Sequence, residues 1–111
     1  MTGPGAALVW CPFPDRESAR AISGKLLDQK LIACANLIGE IESIFEWEGA
    51  RSSDTEIGVL FKTSGDRLED LVSVLGKLHP YDTPAIFGWP CGGTHPDTLE
   101  WLGTQLSTGE S

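Results

Sequence analysis

Positive charge is scarce in this chain. Lys and Arg together number 8 against 16 Asp and Glu, a formal net charge of −8. A phosphate backbone is held by clustered Lys and Arg, so no nucleic-acid partner is expected. Histidine is scarcer still, with only His79 and His95. The three cysteines are odd in number and widely spaced, which makes neither a disulfide framework nor a zinc motif. A reducing, cytoplasmic setting follows as the expectation. No apolar stretch approaches the length of a membrane span, so no membrane partner is expected. The opening Met1-Thr2-Gly3-Pro4-Gly5 has neither a positive region nor an apolar run, so no signal peptide is expected. There is no repeat of solenoid length, no Gly-rich phosphate loop, no metalloprotease motif and no nucleophile–base pair close in sequence. Nothing here points to an enzyme.

What is present centres on the stretch from Leu31 to Thr63. Past Gly39 it alternates, with Ile41, Ser43, Phe45 and Trp47 on one side and Glu40, Glu42, Glu46 and Glu48 on the other. A period of two marks a strand with one face wet and one covered. Before Gly39 both sides are largely apolar, as in a strand covered on both faces. An isolated glycine in a strand marks a bulge or bend. Gly49 to Asp54 reads as a polar hairpin loop, and Thr55 to Thr63 as the return strand. The 18 residues from Leu31 to Glu48 would span roughly 60 Å if straight. A compact chain of this size has a radius of gyration of ~13 Å. The hairpin therefore bends sharply or projects, and its apolar far half predicts contact with another subunit through Ile41, Ile44, Phe45 and Trp47.

The rest reads as one domain over residues 1–111, with 1–5 and 107–111 expected to fray. Ala6 to Phe13 is a short apolar strand. Asp15 N-caps a helix whose Ala19, Ile22 and Leu26 share a face. Asp66-Arg67-Leu68-Glu69 has the form of a capping box with Asp66 as the cap. Leu68, Leu71, Val72, Leu75 and Leu78 then give the clearest helical stripe. Ala85 to Cys91 reads as a last strand, and Pro96 opens a final helix carrying Leu99, Leu102 and Leu106. Strand, helix, strand, strand, helix, strand, helix is the α+β, ferredoxin-like split βαβ order: one antiparallel sheet with two helices on one face. In it the first strand lies between the third and fourth. The long second strand is an edge that needs covering, which a closed oligomer supplies.

This topology hosts unrelated functions. The third strand lacks the basic and aromatic pattern of an RNA-recognition module, and no Cys-x-x-Cys loop of a metallochaperone follows the first strand. A bare ligand-binding regulatory domain stays open. The chain resembles the CutA-type divalent-cation tolerance proteins through five pieces in the family's order. These are Leu31 to Asn36, Ser43 to Gly49, Glu56 to Thr63, His79-Pro80-Tyr81-Asp82-Thr83-Pro84 and Leu99-Glu100-Trp101-Leu102. The resemblance covers nearly everything from Leu8 to Leu106. It departs at Glu46, where relatives often carry an aromatic residue, and at Ala85, where they usually carry glutamate.

The resemblance implies a ferredoxin-like homotrimer, related in shape to the PII signalling proteins, with a role in divalent-metal tolerance. A small-molecule-sensing trimer with incidental metal binding is the alternative. Relatives' proposed metal ligands carry over to Cys11 and His79 alone. The fourth strand runs antiparallel to the first, so the loop holding His79 enters beside Cys11, while Cys91 lies at the far end. Thiolate and imidazole suit copper or another divalent cation. Two ligands make an incomplete site, so binding is expected to be weak, solvent-completed or shared between subunits, and not required for folding. The competing reading makes Cys11 a buried core thiol and His79 a helix terminus.

Overall fold

The computed structural model describes residues 5–107. Strand β1 (Ala6–Phe13) leads into helix α1 (Arg16–Asp28), followed by β2 (Cys34–Trp47) and β3 (Ala50–Ser64). Helix α2 (Leu68–Leu78), the short β4 (Phe87–Pro90) and α3 (Pro96–Gln105) complete the chain. The sheet order is β2-β3-β1-β4 with every pair antiparallel. This is the α+β, ferredoxin-like order, with β2 at one edge. Of the termini expected to fray, 1–4 and 108–111 lie outside the described residues. The Gly5 carbonyl accepts a hydrogen bond from the Gly65 N–H at 2.9 Å.

Strand pairing sorts the side chains. Val9, Cys11 and Phe13 face the same way as Ile57, Val59 and Phe61, and all six are buried under the two helices. Helix α1 contributes Ala19, Ile22 and Leu26 to this core and α2 contributes Leu71 and Leu75. The opposite face carries Leu8, Trp10, Leu60, Phe87 and Trp89, none of them fully buried. Phe87 is 63% exposed. Among the described residues only α3 crosses this face, at one end, where Leu102 and Leu106 pack with Ala6 and Ala33. Leu99, expected on the same stripe, stays 40% exposed.

Several boundaries differ from the reading of the sequence. The second strand begins at Cys34 rather than Leu31, because Leu31 closes the C-terminus of α1 instead. The Lys30 N–H bonds to the Leu27 carbonyl and the Leu31 N–H to the Leu26 carbonyl, each at 3.0 Å. That is the Schellman closure, here with Lys30 rather than glycine at φ 59°. Of the expected hairpin loop from Gly49 to Asp54, all but Gly49 is strand. Trp47 pairs with Ala50, leaving Glu48-Gly49 as a two-residue turn with φ of 52° and 82°. Positive φ at both positions is the type I′ geometry that matches strand twist. Gly39 does mark a register shift, at φ 129°. Asp66 is not the cap of α2: a 3₁₀ turn over Gly65–Arg67 precedes the helix, and Asp66 accepts instead from the Ser64 hydroxyl. The last strand is shorter than Ala85 to Cys91, running from Phe87 to Pro90, and Ile86 before it packs against the core.

The hairpin projects. The molecule measures 52 × 27 × 22 Å with a radius of gyration of 15.1 Å, above the compact value. Ile44 and Trp47, on opposite faces of its distal half, are 67% and 66% exposed.

Candidate functional site

Chemistry-bearing residues gather at the end of β1, around the carbonyl of Pro12. Cys11, on the core face of β1, is fully buried, and its thiol donates to the Pro12 oxygen at 3.6 Å. His79 follows α2, its N–H still bonded to the Leu75 carbonyl at 2.9 Å. Its ring stacks on Phe13 with centroids 4.6 Å apart. Nδ1 receives the Tyr81 N–H at 3.1 Å and Nε2 lies 2.9 Å from the Pro12 oxygen. An acceptor Nδ1 puts the proton of a neutral imidazole on Nε2, which then donates to Pro12. The two sequence-nominated ligands thus meet at one oxygen. Cys91 is elsewhere: its N–H bonds to the Ala6 carbonyl at the opposite end of β1.

Burial, with the Glu56 charge adding to it, pushes the Cys11 thiol up to about 12. The Tyr81 phenol is likewise pushed up to about 12, by desolvation first and by the neighbouring Glu56. Both keep their protons at neutral pH. Among the described residues no group of three His, Cys, Asp or Glu side chains is placed to hold an ion. Within one chain the donor set therefore does not fit a resident metal: the imidazole nitrogens are both occupied and the thiol is protonated.

Beyond Pro12 the site opens into a cleft of about 460 Å³ that runs along one face of the hairpin. Sheet register builds it. Ser43, Phe45 and Trp47 alternate outward along β2, paired with Asp54, Ser52 and Ala50, while Glu56 lies opposite Ile41. Tyr81 closes one side, its hydroxyl donating to Glu56 Oε2 at 2.9 Å, and Thr83 and Ala85 continue that wall. Ala85, the departure from the family pattern, thus lines the cleft with a methyl where relatives usually have a carboxylate. The sequence reading did not anticipate the cleft. The alternation of β2 shows its outward row, whereas Asp54, read from sequence as loop, lies in β3 opposite Ser43. His95 caps α3, Nδ1 receiving the Asp97 N–H at 3.1 Å. A smaller cavity of about 310 Å³ lies between α3 and the start of β1, lined by Trp101 and Leu102 among others. It does not reach Cys11 or His79.

Fold and cleft together define a small α+β domain of ferredoxin-like topology. The sequence pattern of the family described as "CutA1 divalent ion tolerance protein" matches residues 7–105, and the chain belongs to that family. The divalent-cation tolerance protein CutA of Pyrococcus horikoshii is 42% identical over 95 residues, covering 86% of this chain and 92% of that protein. The crystal structure of CutA1 from Ehrlichia chaffeensis superposes with a TM-score of 0.91 at 31% identity, covering 96% of this chain and 99% of that one. The "periplasmic divalent cation tolerance protein CutA" of Archaeoglobus fulgidus gives 0.86 at 28% identity, covering 92% of this chain and 99% of that one.

Proposed function

We propose that this chain is a non-enzymatic divalent-cation tolerance protein that works as a closed homotrimer in the cytoplasm and contacts metal, copper in particular, as part of a metal-responsive signal. The observation that carries the reading is the uncovered second face of the sheet, continued into a projecting hairpin that carries Ile41, Phe45 and Trp47 on one side and Ile44 on the other. A face bearing Trp10, Leu60, Phe87 and Trp89 is too apolar for a lone domain. Three-fold closure covers such faces and leaves no free strand edge. Ile41, Ile44, Phe45 and Trp47 lie on the same hairpin and are its contact residues.

Metal contact at Cys11 and His79 is weak on this reading. Light scattering on a sizing column tests the assembly: a trimer is expected, and a stable monomer at micromolar concentration overturns it. Trp47→Ala should weaken the assembly more than Glu46→Ala, because aromatic anchors carry interface energy and rim charges rarely do. Copper titration of the wild type beside Cys11→Ser and His79→Ala tests the metal reading. Weaker binding in both variants is expected; unchanged affinity removes the pair.

A further inference from the structure

The cleft along the hairpin has a composition that the Cys11–His79 pair does not explain. Three aromatic rings, Phe45, Trp47 and Tyr81, stand with two carboxylates, Asp54 and Glu56, and no Lys, Arg or His lines it. We propose that this cleft binds a small organic ammonium ion, with the aromatic faces around its alkylated head and the two carboxylates balancing its charge.

The walls favour this ligand over the alternatives. An aromatic face carries the negative end of a quadrupole and attracts an alkylammonium within about 6 Å of the ring. A divalent ion needs oxygen, nitrogen or sulfur lone pairs, which rings do not offer. Asp54 and Glu56 are successive same-face residues of β3, with backbones about 7 Å apart. That spacing flanks a head group of several methyls better than it chelates a bare ion. An anion is opposed by both carboxylates and by the net charge of −8. A neutral apolar guest would gain nothing from the two carboxylates that stand in the wall.

The cleft is also partly set before anything binds. The Tyr81 hydroxyl donates to Glu56 and so fixes the direction of that carboxylate. Tyr81 is itself held at its backbone by His79 Nδ1, and the His79 ring by Phe13. The guest therefore meets a carboxylate and a phenol ring already oriented, which lowers the ordering cost of binding. Ala85 leaves that wall apolar and gives space to methyl groups. A neighbouring copy packed along the hairpin would add a wall without adding anything to the chain's own donor set.

Calorimetry on the intact assembly tests this with two probes of nearly the same shape, choline and its uncharged isostere 3,3-dimethylbutan-1-ol. Choline is expected to bind, and the neutral isostere at least roughly tenfold more weakly. Glu56→Gln and Trp47→Ala should each weaken choline by roughly tenfold. Both are assayed after light scattering confirms the wild-type copy number. Should Trp47→Ala disturb assembly, Glu56→Gln and Asp54→Asn decide alone. Glu42→Gln, on the other face of the hairpin, should bind as the wild type does. Equal affinity for the two probes, no choline binding at millimolar concentration, or wild-type binding by both carboxamide variants overturns the proposal.

Discussion

Gly58→Ala tests how tightly the uncovered face of the sheet is packed. Gly58 sits mid-strand in β3, opposite Pro12 of β1 and Gly39 of β2. A Cβ there would lie 2.4 Å from Cη2 of Trp10, and 3.2 and 3.3 Å from Cζ3 and Cζ2. Ordinary carbon contacts are about 3.5–4.0 Å, so the indole must move by roughly 1 Å or more. It is not free to do so cheaply, with Leu60 and Phe87 as its cross-strand neighbours. Overpacking of this kind costs about 1–3 kcal/mol. Replacing a strand glycine returns about 0.5–1 kcal/mol of backbone entropy. The net expectation is a loss of roughly 1–2 kcal/mol. Trp10→Phe removes the far end of the indole that makes the clash. In that background the alanine should cost at least about 1 kcal/mol less than in the wild type. Guanidinium unfolding of the four proteins at one fixed protomer concentration gives the cycle, since association shifts apparent stability. Additivity within about 0.5 kcal/mol would refute the assignment of Gly58 and Trp10 to one packed face.

Iodoacetamide at pH 8 should leave Cys11 unmodified until denaturant is added, because its thiol is buried and titrates at about 12; mass spectrometry locates the label. The folded-state pKa values of Cys11 and Tyr81 are raised from 9.0 and 10.0 to about 12. Their protonated forms thus add stability that is complete below pH 9 and lost as pH climbs toward 12. Cys11→Ser, which removes one of the two titrating groups, should flatten that alkaline loss in urea melts. Lys30→Gly should stabilise the chain by roughly 0.5–1 kcal/mol, because the C-terminus of α1 holds a lysine at φ 59°. A destabilised variant in the same melts would contradict the helix end described above.

The local rules were written plainly in the chain. The alternation of Ile41, Ser43, Phe45 and Trp47 names a strand, and Leu68 to Leu78 names a helix, because periods of 2 and 3.6 come from backbone geometry alone. Asp15 reads as a cap, and its carboxylate does accept the Ser18 N–H at 2.7 Å. The order of elements, with the right-handed crossover rule, is enough for the sheet order β2-β3-β1-β4. Other features carry no local signal. Lys30 gives no sign that it will adopt a glycine's conformation; that follows from α1 having to turn back onto the sheet. Glu48-Gly49 becomes the turn only because pairing from Gly39 outward runs unbroken to Trp47. The site depends most on tertiary structure. His79 and Pro12 are 67 positions apart, and Tyr81 and Glu56 are 25 apart. Their bonds exist because the sheet brings β1, β3 and the loop after α2 to one corner. Residue type shows what such side chains can do, but their partners depend on which strands lie side by side.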